Sequence, residues 1–185
     1  MNIIKYIGTA FIAIFILSTV SCSKKADIAG IESKLPALKL SSLGYLQNSP
    51  FTIATLAATA TTPATIATIL QLNFGATTTN TATGAFKIEI LDGTTATSTV
   101  IKTVNFASWS GNDATSTATV TNHSISYVLQ PTTYPNTQVY GGNILLKLGL
   151  LGLTAGKTYS IRATAYDSTG SISSVLTQLS FFKTI

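Results

Sequence analysis

One histidine, one cysteine and six carboxylates are the main stock of reactive side chains in this 185-residue chain. His123 can act as a general base only beside a group that orients it or a nucleophile that it activates. Its neighbours Asn122 and Ser124 supply neither, so it reads as a surface turn residue within a formal N-glycosylation acceptor sequence. The carboxylates are dispersed. Asp27 and Glu32 lie near the start, and Glu89 faces outward beside Lys87. Asp92, Asp113 and Asp167 each fall in a turn, where aspartate suits the backbone. Glycoside hydrolysis needs two converging carboxyl groups, calcium needs clustered Asp and Asn, and zinc needs sets of Cys and His. The spacing recommends none of these, and Gly149, Gly152 and Gly156 do not form a phosphate-cradling loop. The expectation is a chain that is not an enzyme, with no catalytic residue, metal or cofactor.

Binding has more to work with. Trp109, Tyr134 and Tyr140 fall in predicted loops or strand ends, where a planar ring could stack on a sugar face. The same rings also suit protein contacts or a partly buried core, and both readings stand. The formal charge of +5 comes from scattered lysines, with Lys24-Lys25 the one adjacent pair. Without a basic stripe or an arginine cluster, no nucleic-acid partner is expected.

The elements that must position these residues are β-strands. Roughly one residue in six is threonine, and charged residues are only 9%. Threonine and the β-branched apolar residues fit pleated, half-buried surfaces. Candidate strands begin at Ala37–Leu43 and Phe51–Ala58. Ile66, Thr68, Leu70, Leu72 and Phe74 alternate along the next, then Phe86, Ile88 and Ile90 up to the turn Asp92-Gly93. Val100–Ala107 pairs back as a hairpin. Ile125, Tyr127 and Leu129 mark another strand, Gly141-Gly142-Asn143 reads as a turn, and Ile144–Leu150 follows as a strongly apolar strand. Short strands at regular spacing predict an all-β antiparallel sandwich or barrel.

The N-terminus reads differently. Lys5 precedes an apolar run, and Ser18-Thr19-Val20-Ser21 leads into Cys22. Ile7–Val20 as a helix would reach only about 21 Å, short of the about 30 Å hydrocarbon core. A charged start, a short greasy centre and small residues form an export signal. It resembles the signal peptide of bacterial lipoproteins, whose lipobox ends at a cysteine. That resemblance implies cleavage before Cys22, acylation of Cys22 with a diacylglyceryl group, and anchoring in the cell envelope. Ser23, rather than aspartate, resembles outer-membrane sorting. The organisation is then a signal peptide at 1–21, a lipidated tether at 22–35 and a sandwich domain at 36–185. Lys24-Lys25 would lie either against anionic headgroups or as solvated linker lysines.

The C-terminal third carries the most specific pattern. Leu153-Thr154-Ala155-Gly156-Lys157-Thr158-Tyr159 is followed by Ile161, Ala163 and Ala165, the turn Asp167–Gly170 and a last strand over Ile172–Phe182. This resembles the last strands of a fibronectin type III-like, immunoglobulin-like domain. The resemblance implies a tyrosine corner, with the Tyr159 hydroxyl reaching back to the preceding turn and Leu153 as its apolar partner. Residues 36–185 exceed the family's usual length, so extra strands or long loops are expected. The function expected is a non-catalytic binding or structural module, serving adhesion, surface assembly or glycan capture. Its partners would be membrane lipid through Cys22 and a glycan or another envelope protein. The alternative is a fimbrial-type subunit that donates Val175–Ile185 to a neighbour's sheet.

Overall fold

Along one strand, Leu70, Leu72, Phe74, Ala76 and Thr78 are all buried, while the residues between them are half-buried (Gln71, Gly75 and Thr77) or exposed (Asn73). This period of two is the pleat turning one face of a strand to a core. In the computed structural model the described residues are 35–46, 55–56, 65–66 and 69–184. Their strands are β1 (Leu38–Tyr45), β2 (Thr55–Leu56), β3 (Thr65–Ile66), β4 (Ile69–Thr79), β5 (Thr83–Asp92) and β6 (Thr99–Phe106). There follow β7 (Gly111–Asn112), β8 (Ser124–Gln130), β9 (Thr137–Lys147), β10 (Thr158–Asp167) and β11 (Ser173–Lys183).

Two antiparallel sheets face each other, in the orders β1-β4-β9-β8-β7 and β11-β10-β5-β6; β2 and β3 pair separately. The chain crosses between sheets after β4, after β6 and after β9. As a result β9 returns beside β4, and β10 beside β5. The two sheets stack as an antiparallel β-sandwich of five and four strands. The sandwich is pinned along one side, where the Leu40 amide of β1 donates to Ser174 Oγ of β11 at 2.8 Å.

Both inner faces feed one apolar core within the compact unit Pro36–Ile185. Its centre is aromatic. Phe74 of β4 meets Phe86 of β5 at 5.0 Å between ring centroids, and Trp109 stands edge-on to Phe86 at 5.7 Å and to Tyr140 at 5.1 Å. Edge-to-face pairs of this kind add about 0.5–1.5 kcal/mol beyond the area they bury.

Three expectations are corrected. Gly141-Gly142-Asn143 is not a turn but the middle of β9, paired with β4 on one side and β8 on the other. The reason is packing, because a Cβ on Gly142 would fall within the ring of Phe74. The strand expected over Ile144–Leu150 stops at Lys147, opposite Ile69 where β4 begins, and Leu148–Leu150 is a short 3-10 turn. The strand expected to end at Phe74 continues to Thr79, because Ala76 and Thr78 keep the inward alternation. Of the strand expected over Phe51–Ala58, only Thr55–Leu56 falls among the described residues.

Candidate binding surface

The corner at Leu153–Tyr159 is built around one hydroxyl. Tyr159 is 1% exposed, and its Oη accepts a hydrogen bond from the Thr154 amide at 2.8 Å. Leu153 is half-buried against the core. Gly156 takes a left-handed φ of 81° to close the turn, a conformation that costs glycine nothing sterically.

The three aromatics expected to meet a ligand are placed very differently. Trp109 is 0% exposed, and its Nε1 donates to the Ala85 carbonyl at 3.2 Å. Tyr140 is 3% exposed. Neither ring can offer a face to a sugar, and both are corrected to core residues. Trp109 follows the end of β6 and turns inward between the sheets; Tyr140 lies on the inner face of β9. Tyr134 is 58% exposed in the loop between β8 and β9 and keeps a free ring. His123 is also corrected: it is 3% exposed rather than a surface turn residue. Its Nδ1 accepts from the Lys147 amide at 3.1 Å, so that nitrogen carries no proton. Burial holds the imidazole below its ordinary pKa, against the attraction of nearby Asp113.

Asp113 organises the polar stretch that follows β7. Its carboxylate accepts from Ser116 Oγ at 2.6 Å, the His123 amide at 2.8 Å, the Thr115 amide at 3.1 Å and the Thr115 hydroxyl. Burial alone would raise its pKa, but these donors outweigh it and bring the value to about 2. Glu89 sits between two cations, with Arg162 Nε at 2.7 Å and Lys87 Nζ at 3.3 Å. The Arg162 bond holds its carboxyl below the usual range. Among the described residues, no three His, Cys, Asp or Glu side chains converge as a metal site would require.

The concave feature lies at the end of the sandwich where β4 passes into β5 and β8 into β9. Asn80 and Asn136 both adopt left-handed φ, 55° and 52°, which asparagine tolerates better than other non-glycine residues. The Asn80 amide donates to the Asn136 carbonyl at 3.1 Å and links the two loops. The Ser168 amide donates to Ala82 O at 2.9 Å and brings in the β10–β11 loop. Between them opens a cleft of about 580 Å³, lined by Thr78, Asn80, Thr81, Ala82, Asn136, Thr137 and Gln138. No lining residue is charged. Beneath it the Tyr140 hydroxyl donates to Gln138 Oε1 and lies 3.4 Å from Thr78 Oγ1. The buried tyrosine thus fixes two cleft residues rather than touching a ligand itself. Asp167 Oδ2 accepts from Thr169 at 2.7 Å and Oδ1 from the Ile172 amide at 2.9 Å. Those bonds, the Ile172 amide first, hold the Asp167 carboxyl below its ordinary pKa. A second, shallower groove of about 350 Å³ lies beside β8, lined by Asn73, Phe74, Val128, Gln130, Gly141, Gly142 and Asn143.

The sequence pointed to Tyr134 and Tyr140 but not to Asn80, Asn136 or Gln138. The available signal was weak: the prolines bounding 131–136 mark a loop, yet nothing local says which other loop it will meet. Cys22 lies outside the described residues. No family model, curated protein or solved structure matches this chain.

Proposed function

We propose that this chain is a non-catalytic, lipid-anchored binding module of the bacterial cell envelope. The observation that carries the binding half is the composition of the loop-end cleft. Its lining offers amides and hydroxyls, each able both to donate and to accept, with no formal charge. Such a surface suits a neutral polyhydroxylated ligand, the class to which glycans belong, and Tyr134 in the adjoining loop supplies an exposed ring. The volume falls within the about 300–1,000 Å³ of small-ligand sites.

The anchoring half rests on the N-terminal residues, with Cys22 as the acylated group and the outer membrane as its destination. One acyl chain holds a protein only marginally and two or more hold it firmly, so a diacylglyceryl cysteine is sufficient. The fibronectin type III-like assignment is supported by the strand order and by the Tyr159–Thr154 bond. The strand-exchange alternative draws no comparable support. β11 is already paired with β10 in its own sheet, from Ser173 opposite Tyr166 to Lys183 opposite Thr158.

Two experiments test the two halves. Metabolic labelling with a fatty-acid probe should mark the wild type and not Cys22→Ala; equal labelling of both would end the anchor reading. A glycan array with the mature lipoprotein in detergent should show ligands lost in Asn136→Gly, which removes the amide while keeping the left-handed backbone. Binding that is unchanged in Asn136→Gly and in Gln138→Ala would remove the cleft as the site.

A further inference from the structure

Most of the sandwich's edges are guarded. β1 and β11 abut through the Leu40–Ser174 bond. β6 carries Lys102 and is partly covered, since the Ala114 amide donates to Asn105 O at 2.9 Å and Phe106 bridges Asp113. Charge and coverage are the usual protections of an edge strand. β8 differs. Among the described residues its outer edge is paired only at Ser124 and Ile125, by β7. Upstream of Gly111 the chain leaves that edge, because Trp109 turns into the core toward Ala85. Among the described residues nothing pairs with the outer edge of Ser126–Gln130, and the segment contains no charge, proline or glycine. Val128 is 67% exposed and Leu129 53%. The Gln130 side-chain amide donates to the Val128 carbonyl at 3.4 Å and lies over Gly141 of β9.

We infer that Ser126–Gln130 pairs antiparallel with the same segment of a second copy of this chain, across a two-fold axis at Val128. The segment's chemistry is a palindrome. Centred on Val128, Ser126 faces Gln130 of the other copy, a hydroxyl against an amide. Tyr127 faces Leu129, an aromatic–aliphatic cross-strand pair, and Val128 faces itself. The limits of the open stretch agree with that centre. Ile125, where β7 cover begins, falls opposite Pro131, which cannot donate to a ladder. The five residues that can pair are therefore the five that do. An extended peptide could also lie along this edge, but self-complementarity about one residue specifies a copy of the same strand. The assembly closes as a dimer, with the two five-stranded sheets joined edge to edge through β8 of each copy.

Cross-linking of the full chain in detergent tests the register. Residues directly opposite in antiparallel strands have Cα atoms about 4.5–5.5 Å apart, within disulfide reach. Val128→Cys should give cross-linked dimer under mild oxidation, well above wild type, whose one cysteine, Cys22, has no free thiol once acylated. Ser126→Cys alone should not, because its two copies lie about 13 Å apart along the strands. A mixture of Ser126→Cys and Gln130→Cys should cross-link. Val128→Lys places two like charges opposite each other, and sedimentation should show dimer dissociation raised about tenfold or more. Its exposed position leaves the fold intact, as a melting curve will verify. A wild type that sediments as a monomer overturns the inference. So does Val128→Cys cross-linking no better than wild type or Ser126→Cys, dimer unchanged in Val128→Lys, or a ladder in place of a dimer.

Discussion

The hydroxyls of Tyr159 and Thr184 converge on one carbonyl, that of Thr154, at 3.4 and 2.6 Å. Tyr159 also accepts from the Thr154 amide, and Thr184 also reaches the Lys157 carbonyl at 3.1 Å. One end of β10 and the end of the chain are thereby fastened to the same turn, across which the Gly156 amide donates to Thr184 O.

Tyr159→Phe keeps the ring and removes the fastening. Thr154 is exposed, so water can satisfy its amide, and the expected cost is the net about 0.5–1.5 kcal/mol of an ordinary hydrogen bond rather than a desolvation penalty. Thr184→Val should cost a similar amount. Because the two share an acceptor, the double variant should depart from additivity. Urea unfolding of the four proteins measures this, and a Tyr159→Phe midpoint equal to wild type would show the corner contributes nothing.

That corner was legible in the sequence because its parts are close together: a leucine, a glycine-bearing turn and a tyrosine within seven residues. The strands were legible for a related reason, since alternation is local and each inward residue of β5 or β10 carries its own signal. What could not be read depends on distant partners. Gly142 signals a turn by its type, yet its position is dictated by Phe74, which lies opposite on β4 only after β9 has crossed back. Trp109 and Tyr140 sit in stretches that look like loops, and their burial follows from meeting each other between two sheets, with Trp109 also against Phe86 and Tyr140 against Tyr127. Asn80 and Asn136 are 56 positions apart in sequence and meet where the β4–β9 ladder runs out past Thr79 and Thr137, closed by one further backbone bond.

Gly142→Ala separates the packing role from the turn role. A turn glycine replaced by alanine at an ordinary φ would cost little, and Gly142 is not among the positive-φ residues. As packed, the added methyl meets the Phe74 ring and comes within 2.7 Å of the Ser126 carbonyl. Overpacking of this kind costs about 1–3 kcal/mol. Phe74→Leu in the Gly142→Ala background makes room on the ring side, so it should cost less there than in wild type. Chemical denaturation gives both numbers, and a Gly142→Ala stability within experimental error of wild type refutes the contact.

Acid should unfold the Asp113 region through its carboxylate. The folded pKa of about 2 lies below the about 3.9 of an unfolded aspartate. The stabilisation is therefore fully present above about pH 4 and lost as pH falls toward 2, the direction expected when the unfolded state binds the proton more tightly. His123 adds an earlier step with the same sign. Its folded pKa is depressed, so its contribution is complete above the unfolded value of about 6.5 and declines below it. Protonating Nδ1 removes the acceptor that holds the Lys147 amide. Glu89 and Asp167, also depressed, titrate in the acid range in both proteins and cancel in a difference. Asp113→Asn should therefore be less stable than wild type at pH 7, and the gap should shrink between pH 4 and 2 as the wild-type carboxylate protonates. Guanidinium unfolding at half-unit pH steps reads that gap directly, and a gap that stays constant down to pH 2 would mean that Asp113 holds its loop through shape rather than charge.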